Sequence, residues 1–394
     1  MSSSDYSDST HSHSSIEKID FAGIIIFGKY VLITELGSGS FATVWLSYNL
    51  KNSNFYAIKI QNPEDYQAGE AEVIVFNAMK TDKCPYINQL IEHFIHKSDY
   101  GEHICMVFEL MAGNVYDLVK KGKYKNGLPF KICKQIMYQV LAAMDIFNVK
   151  YKKLHSDIKP DNVLIVGRSI RVQKIIDLFL TNIKKERITH NKNLNKVFNL
   201  VNKLKPDIEA LESDELVHEN YLENIKVKLS DFGNVCDIDH TYFDIQTRYY
   251  RSPEIILEYK YNETSDIWSA ACLFYEILTG EMLFDPNKDP KFDRDRHHLY
   301  DMQSILGKIP LNILQTANRT KFFFKNNGLL KGREMLEYRP LSLELINKLE
   351  GREDVTENDT ICILDILYKM LDYDPFKRPL PKDCLKHKLL SSMA

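Results

Sequence analysis

Three polar side chains stand close together in the otherwise largely apolar run Leu154-His155-Ser156-Asp157-Ile158-Lys159-Pro160-Asp161-Asn162-Val163-Leu164-Ile165. Asp157 can orient and deprotonate a hydroxyl, Lys159 can neutralise a moving phosphoryl group, and the amide oxygen of Asn162 can face a magnesium ion. Together these suit phosphoryl transfer. Apolar residues bracket the run, so the sequence predicts a polar loop held at both ends by buried strands or turns.

Other elements must bring a nucleotide to that loop. Upstream, strands are predicted at Tyr30-Val31-Leu32-Ile33, Glu35 to Leu46 and Phe55-Tyr56-Ala57-Ile58-Lys59-Ile60. Gly37 and Gly39 permit a tight turn and close backbone approach to phosphates. Lys59 closes an apolar strand and needs an anionic partner. The helix predicted over about 66–80 offers Glu70 and Glu72, and Glu72, preceding Val73 and Phe76 at helical spacing, is the better placed. Cys105 to Met111 reads as a buried strand leading to Gly113 and Asn114, and Lys131 to Phe147 as a helix with the stripe Ile132, Ile136, Val140 and Leu141. Downstream, Val227-Lys228-Leu229-Ser230-Asp231-Phe232-Gly233 presents a second carboxylate for magnesium at Asp231.

Asp231 follows Asn162 by 69 residues, where two short strands and a hairpin need only about 15–20. An insert of about 167–223 is therefore expected. Val197, Phe198, Val201 and Leu204 suggest one helical face within it, and the acidic stretch near Asp207 to Glu219 reads as a disordered linker. Residues 1–20, rich in Ser, Asp and His with almost no apolar anchor, read as a disordered tail.

The 394 residues suffice for two lobes, and a 44% hydrophobic and 27% charged composition is ordinary for a globular chain. With 51 Lys plus Arg against 54 Asp plus Glu, the net charge of −3 gives no reason to expect a general nucleic-acid or membrane binder. The seven cysteines are widely spaced and form no C-x-x-C pair, which argues against zinc and a disulfide framework. No run approaches the roughly 20 apolar residues of a membrane span, and no signal peptide is apparent.

In order and context, these motifs resemble those of eukaryotic protein kinases. His155 to Asn162 is similar to H-R-D-x-x-x-x-N with Ser156 in place of Arg, Tyr56-Ala57-Ile58-Lys59 to V-A-I-K, Asp231-Phe232-Gly233 to D-F-G, and Ser252-Pro253-Glu254 to A-P-E. Ala42 stands at the third glycine of the kinase loop. The resemblance implies an α+β, bilobal fold: an N-lobe over 21–109 with an antiparallel sheet and one helix, and a mostly helical C-lobe over 110–394, interrupted by the insert. It places ATP between the lobes, against Leu36, Gly37, Gly39, Val44 and Ala57 from above. Lys59 and Glu72 would then serve the phosphates, Phe108, Glu109 and Met111 the hinge, and Leu164 the floor. Asp157 and Lys159 become catalytic residues, and Asn162 and Asp231 magnesium ligands. Glu254, Asp266 and Arg378 become architectural, with Arg378 pairing Glu254 and Asp266 holding the catalytic loop from beneath.

Finer features are similar to the SR-protein-specific kinases of the CMGC group: the small residue at Ser156, the insert, and Asp244-Ile245-Gln246-Thr247-Arg248. That resemblance implies a monomeric serine kinase of Arg-Ser-rich splicing factors, found in cytoplasm and nucleus, with no direct nucleic-acid or membrane partner. It implies that Arg248, Arg251 and Arg294 form a basic pocket for an already phosphorylated serine, allowing processive work. It makes Glu281 an acidic docking residue, with His297 and Ser304 where two further acids would stand and Asp295 and Asp301 as compensating candidates. Ser156 in place of Arg implies activity without activation-loop phosphorylation. Two other readings stay open: another CMGC kinase, Clk-like or dual-specificity, with Ser-Pro or basic-context substrates, and a pseudokinase scaffold.

Overall fold

The computed structural model describes residues 19–80, 84–120, 124–186, 194–212, 215–238, 243–286, 293–333 and 335–393. Most of the expected N-terminal tail lies outside them. At its end, Asp20 forms an ion pair with Lys205 at 2.6 Å.

The N-lobe is a six-stranded antiparallel sheet in the order β1-β2-β3-β4-β6-β5. The strands are β1 (Ile25–Ile26), β2 (Tyr30–Ser38), β3 (Ala42–Asn49), β4 (Phe55–Gln61), β5 (Glu92–Ser98) and β6 (Gly101–Phe108). Helix α1 (Tyr66–Met79) lies against it. Burial of Val73, Phe76 and Met79 on one face explains why a helix of weak amphipathicity forms here.

Strand β7 (Met111–Asn114) and helix α2 (Val115–Lys120) lead into the C-lobe, where α3 (Phe130–Tyr151) is longer at both ends than its apolar stripe suggests. Residues Lys153–Leu154 (β8) and Val163–Val166 (β9) bracket the polar loop. The insert follows as α4 (Ile170–Lys185), α5 (Leu194–Glu209) and the short α6 (Glu219–Leu222), before β10 (Val227–Leu229) and β11 (Cys236–Asp237). The remainder is helical: α7 (Pro253–Leu257), α8 (Ser265–Thr279), α9 (Arg294–Leu306), α10 (Leu311–Thr316), α11 (Thr320–Phe323), α12 (Leu341–Leu349), α13 (Glu357–Met370) and α14 (Pro381–Leu385). Helix α8 is buried along its whole length and forms the axis of the C-lobe. No helix among the described residues is long and apolar enough to cross a membrane.

The insert is a docked helical unit. Helix α4, capped by Ser169 on Val172 N at 3.1 Å, buries Val172, Ile175, Ile176 and Phe179. Phe179 reaches the N-lobe sheet, with its ring centroid 5.3 Å from that of Tyr48 and 6.1 Å from that of Phe55. Helix α5 buries Val197, Leu200, Val201, Leu204 and Ile208 and packs along β2.

Two sequence expectations change here. Phe198 is 46% exposed, and the stripe runs instead through Leu200. Nor is the acidic stretch a loose linker where it is described: α5 continues to Glu209, Val217 is buried, Leu211 and Leu216 pack on the core, and Arg171 Nε donates to Leu211 O at 2.9 Å. Apolar residues spaced among the acids supply the anchors that average composition conceals.

Candidate active site

The polar loop is positioned from three sides. Strand β8 pairs with β11, and β9 lies between β7 and β10, so the loop hangs between two small sheets. From beneath, the wholly buried Asp266 at the start of α8 accepts from His155 N at 2.7 Å and Ser156 N at 3.0 Å. Burial pushes the Asp266 carboxyl up to about 7, against the pull of those two N–H donors. His155 Nε2 lies 3.0 Å from Ser230 O, and its Nδ1 lies 3.3 Å from Asp157 N. The contacts fit a neutral imidazole protonated at Nε2, and burial holds its pKa below the usual range. Ser156 adopts a left-handed φ of 62°, and its hydroxyl donates to Asn234 O. The position that resembles a kinase arginine thus ties catalytic loop to activation segment without a charge.

Asp157 is 6% exposed and both its oxygens are engaged. Thr247 Oγ1 donates to Oδ1 at 2.6 Å, while Lys159 Nζ at 2.8 Å and Asn162 Nδ2 at 3.0 Å reach Oδ2. Lys159 also donates to Thr247 Oγ1 at 2.9 Å. Asn162 Nδ2 donates further to Asp157 O at 2.8 Å, which commits its nitrogen and leaves its amide oxygen as the group for a cation. Thr247 closes this constellation. Sequence reasoning gave it no role, because a lone threonine 90 residues from the carboxylate it touches carries no local signal.

Above the loop, Lys59 Nζ lies 2.7 Å from Glu72 Oε2 and 3.1 Å from Asp231 Oδ1. Glu72 is 2% exposed whereas Glu70 faces solvent, so the structure assigns the partner to Glu72. Burial opposes the Lys59 charge, but the two carboxylates outweigh it and hold its pKa above the ordinary range. Burial likewise raises Glu72, while at Asp231 the same penalty is overcome by Lys59 and the carboxyl stays low. Asp231 takes a left-handed φ of 63°, and Phe232 behind it fills a column of rings. The centroids run from Phe108 to Phe76 at 5.2 Å, Phe76 to Phe232 at 5.3 Å and Phe232 to His155 at 5.1 Å. This column sets α1, Asp231 and the catalytic loop relative to one another.

The cleft residues fall into register around that centre. Gly37 pairs with Val44 across the β2–β3 hairpin, Val44 with Lys59, and Ala57 with Phe108; Leu36 is half-buried beside them. Gly39 N donates to Ala42 O at 2.9 Å, which closes the turn. In the hinge, Glu109 turns its carboxylate to Lys228 of β10, Met111 pairs with Val166, and Leu164 pairs with both Asn114 and Lys228. A lysine held by two carboxylates, with Asn162 and Asp231 at the cleft, fits a nucleotide triphosphate and a divalent cation.

The activation segment is knotted beneath this cleft. Gln246, at a left-handed φ of 69°, donates to Ser265 O at 2.9 Å and Ser269 Oγ at 3.1 Å and accepts from Ser252 N at 2.8 Å. Its backbone oxygen accepts from Arg251 Nε at 3.1 Å and Nη2 at 2.8 Å. Glu254 and Arg378 form a fully buried bidentate pair at 2.6 and 2.7 Å.

The substrate-side residues are arranged less simply. Arg248 pairs with Asp295, which also accepts from Arg319 Nη1 at 3.1 Å. Arg294 lies exposed beside Asp295 at the start of α9. Asp295 is therefore held by guanidiniums and does not stand open as a compensating docking acid. Asp301 is 8% exposed with His297 Nε2 at 3.7 Å, Ser304 is buried, and Glu281 is paired with Lys348 at 2.5 Å.

The protein kinase domain family matches residues 30–197 and 215–390, leaving a gap inside the insert. The chain is similar to serine/threonine-protein kinase SRPK of Physarum polycephalum, at 31% identity over 94% of this chain and 88% of that one. It resembles protein kinase dsk1 of Schizosaccharomyces pombe at 26% identity, over 89% of this chain and 78% of that protein. Human SRSF protein kinase 3 is 25% identical over 94% of this chain and 87% of that one. Kinase domains transfer phosphoryl groups with ATP and a divalent cation, and the geometry of Lys59, Asp157, Asn162 and Asp231 accommodates both. The chain belongs to the protein kinase family and, within the CMGC group, to the SR-protein kinases.

Proposed function

We propose that this serine/threonine kinase phosphorylates serines in Arg-Ser repeats of SR-type splicing factors, and that it is active without a phosphate on its activation segment. The substrate reading is supported by the likeness to SRPK across nearly the whole chain. ATP supplies the phosphoryl group, and Asn162 and Asp231 would hold magnesium on it. Asp157 orients the substrate hydroxyl and accepts its proton, Lys159 balances the charge that develops, and Thr247 keeps both in place. Constitutive activity is supported by the Lys59–Glu72 pair and the Asp157–Thr247 contact existing together, with uncharged Ser156 in the loop.

A second reading, preference for Ser-Pro, is favoured by one observation. The Gln246 carbonyl is occupied by Arg251, so it cannot accept the N–H of a following substrate residue, and proline has none. Assays with ATP and magnesium on Arg-Ser, Lys-Ser and Ser-Pro peptides separate the readings. Multi-site turnover of Arg-Ser alone is expected, falling about 10²–10⁴-fold in Asp157→Ala. Preference for Ser-Pro would move the enzyme to the second reading, and failure on every peptide would favour a scaffold.

A further inference from the structure

One surface of the C-lobe has no part in phosphoryl transfer. Residues 302–333 hold six cations, Lys308, Arg319, Lys321, Lys325, Lys331 and Arg333, and no Asp or Glu. On a chain of net charge −3 this excess is local, and much of it gathers round one aromatic ring. Three phenylalanines follow Lys321. Phe323 and Phe324 are buried anchors, whereas Phe322 is 56% exposed. The frame beneath it is fixed: the Phe323 ring meets the Phe322 ring at 88° with centroids 4.8 Å apart, and Phe324 bridges Leu330. Lys325 N donates to Leu329 O at 2.8 Å, and Gly328, at a left-handed φ of 77°, turns the loop between them. The Arg319 and Arg296 guanidiniums lie 5.7 and 5.8 Å from the Phe322 centroid. Asp295 and Glu258 hold the first of them, and Asp293 the second. Lys321 and Lys325 are exposed, and Lys331 reaches the Lys321 carbonyl. A ring in water leaves apolar surface unburied, and crowded cations repel one another. A partner that offers a flat face and negative charge together relieves both. A phosphorylated peptide brings charge without the flat face, and one ring in a frame of ion pairs is little for a membrane to take in. Single-stranded nucleic acid brings both.

We propose that the surface around Phe322 binds single-stranded nucleic acid. A base stacks on the exposed Phe322 ring, and Lys321, Lys325 and Lys331 take the neighbouring phosphates. The inference goes beyond the kinase reading and departs from the expected lack of a direct nucleic-acid partner. The two are compatible: −3 describes the sum of the charges, and a strand meets only those beneath it.

Fluorescence anisotropy of the full chain with a labelled oligo(U) of about 12 nucleotides tests this. Magnesium and a non-hydrolysable ATP analogue fill the cleft, and no peptide is present, so the result stands apart from the substrate reading. Wild type should bind saturably, with a Kd of about 1–100 μM at about 0.15 M salt. Phe322→Ala should weaken binding about tenfold and leave the salt dependence unchanged. Phe322→Tyr keeps a stacking face and should match wild type within about twofold. Lys321→Ala combined with Lys325→Ala should instead lower the slope of log K against log salt by about 1.4. Wild type without saturable binding would overturn the proposal. So would Phe322→Ala binding as wild type does, which would place the strand elsewhere on the chain. Blunt duplex RNA, whose bases are closed to stacking, should bind more weakly than oligo(U); equal binding by wild type refutes the stacking site even if no variant folds. Wild type that sediments with phosphatidylserine vesicles and ignores oligo(U) would make this a membrane surface instead.

Discussion

His298 shows how a single side chain can couple the site's surroundings to pH. It is fully buried, neither ring nitrogen has a hydrogen-bond partner among the described residues, and its ring lies 5.5 Å from that of Phe284. Burial lowers its pKa to about 3, with Arg248, Arg251 and His297 adding to the depression and Asp295 opposing it. The folded protein keeps this imidazole neutral, while the unfolded chain protonates it near the ordinary value of 6.5. Between those values the unfolded state binds more protons, so the His298 contribution to stability falls as pH falls, by up to about 1.4 kcal/mol per unit. Urea denaturation at pH 7.5 and 5.5 should show His298→Leu gaining on wild type at the lower pH; an unchanged difference would sink this account. Such a residue was illegible in the sequence, where one histidine of twelve carries no mark. Asp157, Lys159, Asn162, Lys59 and Asp231 were legible because each sits in a short motif whose spacing is local. Thr247 and Asp295 were not, because their roles arise from contacts with distant residues.

Among the elements, the activation segment and the insert illustrate two kinds of reading. The segment is held by Ser156 on Asn234, by β8 on β11, and by the buried Gln246 network, all of them contacts between uncharged groups. Phosphatase treatment of cell-derived enzyme should therefore leave turnover within about twofold; loss of activity would show that a phosphate orders the segment after all. The helices of the insert were visible as apolar periodicity, but periodicity does not say where a face docks. Their docking site is the N-lobe sheet, through Phe179 on Tyr48 and Phe55. Phe179→Ala should cost about 3–5 kcal/mol and speed amide exchange in β3 and β4 more than in α8. Equal exchange in the two regions would mean that α4 does not brace the sheet.

Across the whole molecule, the C-lobe is pinned by a buried ion pair joining the end of the activation segment to the chain before α14. Glu254 and Arg378 have side chains with no exposed surface. Removing one partner strands the other charge, so Arg378→Met should cost about 3–5 kcal/mol, and the double variant Glu254→Gln with Arg378→Met should recover part of it. Equilibrium denaturation of the three variants measures this, and a single-variant cost below about 1 kcal/mol would place the pair near solvent energetics. The docking of Phe179 on Tyr48 also orders events in time. A ribosome finishes the N-lobe strands well before it makes α4 and α5, and at about 5–20 residues per second the delay is on the order of ten seconds. Through that interval the apolar faces of Tyr48 and Phe55 meet the cell without their cover, so a nascent chain halted within the insert should present chaperones with a sheet that the finished enzyme never shows.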